Sequence, residues 1–365
     1  MSTTAGGIAS RIWTRIDFER DGKQTGWLQL PHSVTRSAYG NIAIPISVIR
    51  NGNGPTAFLM SGNHGDEYEG QIALCRLIRE LDHGEIRGRI IVLPAANLPA
   101  AMAGTRVSPI DQGNLNRAFP GDPEGSPTFA IAHYIDTVLY PMADIHHDLH
   151  AGGSSLQYLP FASMRKGLDE DLNRRTLGAL RAFGAPIGLL WAYSPDPRLS
   201  SVAAINRGLV ALGGEFGGGG SVSGMGIRII ERGLRRLLVH AGIVEADATD
   251  ANARDRATGR PGNAAGVDVG PTRLMEVRSR DYYAYAPEAG LFEPATELGD
   301  TVRKDQLCGR VHFVDNPRRP PEDCLFEGDG MVICKRHHGR VERGDCVAHL
   351  ATDLAGDPAA GTPAP

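Results

Sequence analysis

The sequence predicts an α/β domain, with a mixed sheet flanked by helices, followed by a smaller all-β, barrel-like domain. Between residues 25 and 245, short apolar runs of strand length alternate with segments whose apolar positions recur at helical spacing. Beyond residue 272 the helical spacing stops, and short alternating runs are separated by Gly-Asp turns. A chain of 365 residues is also long for a single core, so two domains are expected.

The predicted elements follow one another along the chain in a simple order. The predicted segments are an N-terminal extension at 1–24, the α/β domain at 25–245, a linker or surface loop at 246–271, the small β domain at 272–352 and a disordered tail at 353–365. Antiparallel strands are expected at 25–50, buried strands at 57–60, 88–94, 144–150, 186–191 and 209–216, and helices up to residue 81 and at 128–140, 165–184 and 225–241.

The composition is that of a globular protein and argues against several classes of function. With 41% apolar and 22% charged residues, a net charge of −4 and no basic patch, neither nucleic acid nor an anionic membrane is expected as a partner. No run approaches the roughly 20 apolar residues of a membrane span, and the N-terminus has no apolar core of a signal peptide. Five cysteines without a CxxC pair argue against a disulfide framework. We expect a cytoplasmic protein that acts on a small molecule.

The first candidate site is the stretch Ser61–Gly70, which lies between a buried strand and a helix. Ligands gather at such turns along the carboxyl edge of an open α/β sheet. His64 and Glu67 lie three residues apart in this turn, and an imidazole with a carboxylate would supply two of the three protein ligands of a catalytic zinc. The alternative is a solvated acidic turn whose carboxylate caps the helix.

The second candidate site is the stretch Asp144–Gly153. Read as a strand, its period of two places His146, Asp148 and His150 on one face. His150, at the strand end before two glycines, is the natural third ligand, and Asp148 is placed to accept from a ligand imidazole. His146 and His147 lie deeper in the strand and are interpreted as packed, hydrogen-bonded core residues.

Glu215 ends a further buried strand and is followed by four glycines. A carboxylate in this position is suited to act as a general base beside an open metal site. The alternative is a glutamate held in a salt bridge at the strand end.

The long loop at 104–127 carries Arg106 and Arg117, which are suited to clamp an anionic substrate. Alternatively, both arginines pin the loop to backbone carbonyls.

In this order, His64-x-x-Glu67, Asn116-Arg117, Asp148-Leu149-His150 and Glu215 resemble the zinc carboxypeptidase superfamily. More narrowly, residues 25–350 resemble the succinylglutamate desuccinylase/aspartoacylase family, in which an α/β zinc domain precedes a small β domain. The β domain itself resembles the barrel of biotinyl and lipoyl carriers. The stretch 314–321 lacks the lysine that such carriers modify, so a wall over the active site is the expected role.

The resemblance implies a role for each matching residue. One Zn²⁺ per chain would be held by His64, Glu67 and His150. Arg106 would polarise the scissile carbonyl and Glu215 would be the general base. The implied reaction is hydrolysis of the amide of a small N-acyl amino acid.

Asn116 and Arg117 would hold the carboxylate of that substrate.

Two alternative functions stay open at this stage: a metallocarboxypeptidase with the same zinc machinery, and a catalytically silent metal-binding or ligand-binding protein. The appended β domain would obstruct a long peptide, and every catalytic position is filled, so a small-substrate deacylase is favoured. The assembly of several copies of the chain is left open.

Overall fold

One long mixed sheet runs through the protein and carries strands from both parts of the chain. The computed structural model describes residues 10–192, 196–246 and 271–356. Within these ranges the strands, in chain order, are β1 Trp13–Thr14, β2 Gly22–Pro31, β3 Asn41–Asn51, β4 Thr56–Ser61, β5 Gly88–Leu93, β6 Ile145–Leu149, β7 Leu156–Tyr158, β8 Phe161–Arg165, β9 Ile187–Trp191, β10 Val210–Glu215, β11 Arg273–Val277, β12 Tyr283–Tyr285, β13 Gly290–Pro294, β14 Thr301–Val302, β15 Leu307–His312, β16 Glu322–Leu325, β17 Gly330–Arg336, β18 Arg340–Val341 and β19 Cys346–Asp353.

The helices of the described residues all belong to the first part of the chain, apart from one short turn. They are α1 Tyr68–Glu80, α2 Leu98–Ala103, α3 Pro127–Tyr134, α4 Glu170–Phe183, α5 Ser200–Asn206 and α6 Gly224–His240. Short 3₁₀ turns lie at His83–Glu85, Leu115–Arg117, Tyr140–Met142 and Arg280–Tyr282, and a π-helical turn at Ile135–Leu139. Within the described ranges, no helix is both long and apolar enough to cross a bilayer.

The sheet is buried because helices cover both faces of its centre. Its strand order is β1-β2-β3-β5-β4-β6-β10-β8-β9-β11-β19-β17-β14, with β7 beside β17 and β12 beside β19. Successive side chains of β4 enter opposite layers of the core: Leu59 packs with α1, α4 and α6, and Phe58 packs with α3 and α5. This explains why β4 reads as a continuous apolar run rather than as an alternating one.

Three parallel strands at the centre of the sheet end at the same edge. Strand β6 lies between β4 and β10, with Ser61 opposite Leu149 and His147 opposite Leu212. The residues that follow these strands therefore emerge side by side, although they are far apart in sequence. This edge of the sheet is where the candidate site forms.

The C-terminal part is joined to the α/β part through strand pairing. Strand β11 lies parallel to β9 and antiparallel to β19, and β7 pairs with β17. The remaining strands form a separate four-stranded antiparallel sheet in the order β16-β15-β13-β18. The prediction of a mixed α/β sheet with a further β part is confirmed, whereas the barrel-like form stays a prediction.

Several predicted boundaries differ from the elements observed. In the helix expected at 165–184, Arg165 is instead the last residue of β8, and α4 begins only at Glu170, because Asp169 accepts hydrogen bonds from two of the first backbone N–H groups. The helix expected at 128–140 becomes π-helical after Tyr134. Strand β1 and the start of β2 lie within the predicted N-terminal extension and pair with the sheet. Residues 247–270 of the predicted linker and 357–365 of the predicted tail lie outside the described residues.

Candidate active site

Glu67 stands at the centre of a buried cluster of two histidines and one glutamate. It occupies the N-cap position of α1, but its side chain makes no capping hydrogen bond. Instead its Oε1 lies 2.7 Å from Nδ1 of His64, and its Oε2 lies 2.8 Å from Nδ1 of His150. The side chain of Glu67 is only 3% exposed. The alternative of a solvated, helix-capping turn is therefore wrong.

The turn that carries His64 passes very close to its neighbours. A Cβ on Gly65 would lie 1.9 Å from the carbonyl oxygen of Ala100 in α2, so only glycine fits there. Gly62 has a positive φ of 65°, which favours glycine at the point where the chain leaves β4. These glycines allow the turn to bring His64 back over the end of the sheet.

His150 is oriented by a carboxylate on its far side. Its Nε2 lies 2.9 Å from Oδ2 of Asp148, two residues earlier in the chain. The same oxygen accepts hydrogen bonds from the Asn63 amide at 2.9 Å and from the Ser200 hydroxyl at 2.5 Å. Asp148 is therefore fixed from three directions and holds the imidazole with Nδ1 facing Glu67.

His64 is oriented in the same way by an amide. Its Nε2 lies 3.1 Å from Oδ1 of Asn114, in the loop that follows α2. Each imidazole thus faces an acceptor oxygen at both ring nitrogens, and a neutral ring carries only one N–H to give. A neutral ring whose N–H lies on Nε2, towards these outer acceptors, presents its Nδ1 lone pair on the side of Glu67.

The donor set fits a divalent cation. The candidate ligand atoms of His64, Glu67 and His150 lie within 4.8 Å of one another, and all three side chains are buried. Two imidazole nitrogens and one carboxylate are a ligand set used by catalytic zinc. A cation among them would remove the repulsion between the two lone pairs and the carboxylate.

The electrostatics of the cluster show how strongly its charges interact. Burial opposes ionisation of Glu67, yet the neighbouring imidazoles hold the pKa of its carboxyl below the usual range. Burial lowers the pKa of His64, whereas Asp148 and Glu67 outweigh burial and raise the pKa of His150. The pKa of the Asp148 carboxyl is lowered despite burial, chiefly by the charge of His150.

Glu215 lies beside this cluster at the end of β10. Its backbone forms a parallel bridge with that of His150, which places the two residues side by side at the sheet edge. Its Oε2 is fully shielded and has no hydrogen-bond partner, and no ion pair to Glu215 exists within the described ranges. Burial and the negative charge of Glu67 raise the pKa of the Glu215 carboxyl well above its usual value. The alternative of a salt-bridged glutamate is therefore not supported.

Arg106 reaches the cluster from the long loop after α2. Its Nη1 lies 3.5 Å from Glu67 Oε1 and 3.5 Å from His64 Nδ1, and its side chain is 48% exposed. The guanidinium therefore lies over the solvent side of the cluster. A substrate group entering the site would meet it.

Asn116 and Arg117 lie in the 3₁₀ turn that follows Asn114. The Asn116 Oδ1 accepts a hydrogen bond of 3.0 Å from the backbone N–H of Ser200, and the Arg117 Nη1 donates to the Asn116 carbonyl at 2.7 Å. Arg117 Nε also lies 3.6 Å from Oδ2 of Asp196. Ser200 thus connects Asn116 to Asp148, and Arg117 lies beside Asp196.

The remaining histidines of β6 behave as predicted. His146 and His147 are fully buried, and their ring nitrogens lie 3.0 Å and 3.1 Å from the carbonyl oxygens of Phe58 and Gly213. Burial lowers the pKa of His146 to about 4 and that of His147 to about 3. Their interpretation as core residues is confirmed.

The sequence alone did not point to three residues that support the cluster. Asn63 and Asn114 stand close to predicted site residues, so their positions in the two motifs could have indicated that they support the site. Ser200 comes from α5, which was not predicted, and nothing in the local sequence marks it. Its contacts with Asp148 and with Asn116 arise only from the tertiary fold.

An α/β sheet that gathers two imidazoles and a carboxylate at its carboxyl edge is the architecture of a metal-dependent hydrolase. Residues 53–241 match the family model described as the succinylglutamate desuccinylase/aspartoacylase catalytic domain. The chain is 38% identical over 342 residues to N-alpha-acetyl-L-2,4-diaminobutyric acid deacetylase of Halomonas elongata, which covers 94% of this chain and 95% of that protein. The chain belongs to the succinylglutamate desuccinylase/aspartoacylase family, and it is an amide-hydrolysing enzyme.

Two solved structures show the same fold. A succinylglutamate desuccinylase/aspartoacylase from Rhodobacter sphaeroides has 42% sequence identity and a TM-score of 0.84, over 94% of this chain and 100% of that one. The product-bound ectoine utilization protein EutE (DoeB) of Ruegeria pomeroyi has 37% identity and a TM-score of 0.84, over 94% of this chain and 99% of that one. The resemblance inferred from the motifs is confirmed.

Proposed function

We propose that this enzyme hydrolyses N-alpha-acetyl-L-2,4-diaminobutyrate to acetate and L-2,4-diaminobutyrate, a step of ectoine degradation. The reaction type is supported by the convergence of His64, Glu67 and His150 beside Glu215, whose buried Oε2 has no hydrogen-bond partner among the described residues. The choice of substrate is supported by the deacetylase of Halomonas elongata and by the ectoine utilization protein of Ruegeria pomeroyi. We also propose that it acts in the cytoplasm on this small molecule.

One Zn²⁺ per chain would be held by Nδ1 of His64, the carboxylate of Glu67 and Nδ1 of His150. When bound, zinc supplies Lewis-acid chemistry, since it polarises a carbonyl and acidifies water. The support for this assignment is the orientation of both imidazoles, whose Nε2 atoms are engaged by Asn114 and Asp148. Their Nδ1 lone pairs are consequently free to bind a cation.

Glu215 would act as the general base and then as the general acid. Its Oε2 takes a proton from the attacking water, the water oxygen bonds to the acyl carbon, and the C–N bond breaks. The same proton passes from Glu215 to the departing amine nitrogen. Because burial and Glu67 raise the pKa of Glu215, its carboxylate is a stronger base towards the water proton than an ordinary glutamate.

Arg106 would stabilise the acyl oxygen as negative charge develops on it, because its guanidinium lies over the cluster with its donors exposed. Asn116 and Arg117 would hold the substrate carboxylate. The Asn116 Oδ1 already accepts from the Ser200 N–H, so its amide NH₂ is left to donate to a carboxylate. Such positioning matters because orientation contributes up to roughly 7–11 kcal/mol to a reaction barrier.

A substrate panel tests the proposal. The zinc-loaded protein is incubated with N-acetyl-diaminobutyrate, N-acetyl-aspartate, N-succinyl-glutamate and a C-terminal peptide series, and release of the amine is followed. The highest kcat/KM is expected for N-acetyl-diaminobutyrate, with loss of activity on chelation and recovery on addition of zinc. A preference for the peptides, or turnover indifferent to chelators, would contradict the proposal.

A further inference from the structure

Two acidic residues that flank Glu67 each bind the loop that leaves a neighbouring strand. The Asp66 Oδ2 accepts a hydrogen bond of 2.8 Å from the backbone N–H of Ser154, in the loop after His150. The Glu69 Oε1 accepts a hydrogen bond of 2.8 Å from the backbone N–H of Ser223. Ser223 ends the glycine-rich loop that begins immediately after Glu215.

We propose that Glu69 is a positioning residue, which holds the loop 217–223 so that Glu215 stays in place for proton transfer. This inference rests on the proposed role of Glu215. Glu69 does not touch the reacting atoms; it acts through the backbone that continues from Glu215 to the start of α6.

The contact between Glu69 and this loop is close on two sides. Glu69 is fully buried, and a Cβ on Gly217 would lie 2.2 Å from its Oε1. A Cβ on Gly226, in the first turn of α6, would lie 3.3 Å from its Cγ. The Glu69 side chain thus fills the space that both glycines leave open, and its carboxylate ties the loop at the end remote from Glu215.

Glu215 needs such support because its own side chain provides none. Its Oε2 has no hydrogen-bond partner within the described ranges, so the direction of the carboxylate depends on the backbone at the end of β10. That backbone is held on the strand side by the hydrogen bond from Phe216 N–H to the His150 carbonyl, 3.0 Å long. The four glycines that follow are bonded on one side to the loop after His150, since Gly219 N–H donates to the Leu156 carbonyl and Gly220 N–H to the Gly153 carbonyl, both at 2.8 Å. Glu69 holds the other end of the loop, at Ser223.

A purely structural role for Glu69 makes a different prediction. Ser223 is the N-cap of α6, and a negative charge near a helix N-terminus stabilises the helix. If this were its only role, loss of the carboxylate would lower the melting temperature and leave kcat unchanged. Measurements of kcat and of hydrogen exchange in the loop 217–223 distinguish the positioning role from the purely structural one.

The test compares Glu69→Leu with Glu69→Gln, because a glutamine oxygen still accepts from Ser223 N–H. Asp144→Leu is a control for the loss of one backbone hydrogen bond: the exposed Asp144 accepts from the backbone N–H of Thr56 at the same 2.8 Å, but at the opposite end of the strands. The readouts are kcat, KM, bound zinc by elemental analysis, and hydrogen exchange of the peptides that span 216–226.

For Glu69→Leu we expect kcat to fall by about 10- to 100-fold, the scale set by small misplacements of a catalytic group. KM and zinc content should be unchanged and exchange at 217–223 should be faster, while Glu69→Gln and Asp144→Leu keep the wild-type kcat. Wild-type kcat or unchanged exchange in Glu69→Leu, loss of zinc that accounts for the lost activity, or an equal loss of kcat in Glu69→Gln would overturn the proposal.

A second pair of variants keeps the test decisive if Glu69→Leu fails to fold. Ser223→Ala retains the backbone N–H and loses only the cap to Gly226, whereas Ser223→Pro loses both. A kcat lower in Ser223→Pro than in Ser223→Ala supports the tether, and equal values overturn it. Glu215→Gln is measured alongside: wild-type turnover there removes the proposed base, whereas the exchange data still report whether Glu69 holds the loop.

Discussion

His349 in β19 should make the protein less stable in acid, by an amount that the structure allows to be worked out. The imidazole is fully buried between two aromatic rings, with ring centroids 4.1 Å from Tyr283 and 5.5 Å from Trp191. Neither ring nitrogen of His349 has a hydrogen-bond partner in the part of the chain that the structure describes. Burial therefore lowers the pKa of His349 to about 3.

The direction of this pH effect on stability follows from proton binding. Between the unfolded pKa of about 6.5 and the folded pKa, the unfolded chain binds a proton at this position and the folded protein does not. Stability consequently falls as the pH falls through this window. A single such histidine lowers the free energy of unfolding by about 2 kcal/mol between pH 7 and pH 5.

The assay is urea unfolding of the wild type and of His349→Phe at pH 7 and pH 5, followed by the fluorescence of the neighbouring Trp191. Phenylalanine preserves the stack and does not titrate, so the variant should gain about 2 kcal/mol relative to the wild type on going from pH 7 to pH 5. Any packing cost of the larger ring is common to both pH values and cancels. Tyr283→Phe, which changes the same stack without removing an imidazole, should show no such gain. A difference between His349→Phe and wild type that is equal at both pH values would refute the reasoning.

Three further predictions concern the site. Glu215→Gln should retain zinc and lose about 10²–10⁴-fold in kcat, since a general base contributes on that scale; wild-type turnover would remove it from the mechanism. Arg117→Ala should act mainly by raising KM for carboxylate-bearing substrates, and an unchanged KM would reassign it to structure. Asp148→Asn should weaken zinc binding by about 10- to 100-fold, because the partner that orients His150 is altered; competition with a chelator measures this, and unchanged affinity would contradict the role given to Asp148.

The sequence was sufficient to locate the cluster because its parts have strong local signals. The apolar strands before Ser61 and through Asp148 predicted where the chain reaches the sheet edge, and the spacing from His64 to Glu67 predicted that both side chains occupy one turn. Parallel strands in one sheet then bring their ends together without further information.

The supporting contacts could not be predicted because they depend on the packing of distant elements. Ser200 meets Asp148 and Asn116 only after α5 has packed against the sheet, and α5 spans seven residues with weak periodicity. The strand β8 was not predicted, and its last residue, Arg165, was placed in the helix that in fact begins after the capping residue Asp169. Local patterns thus specified single elements, and their mutual contacts required the fold.

The strand pairing between β9 and β11 has a consequence for how the enzyme admits its substrate. Five residues of each strand are in register, and β11 pairs in turn with β19 of the C-terminal part. A hinge between the two parts would have to break this ladder of backbone hydrogen bonds. Access to the catalytic centre is therefore governed by side chains and loop segments at the rim, and damage to the C-terminal strands should be transmitted to catalysis through the shared sheet.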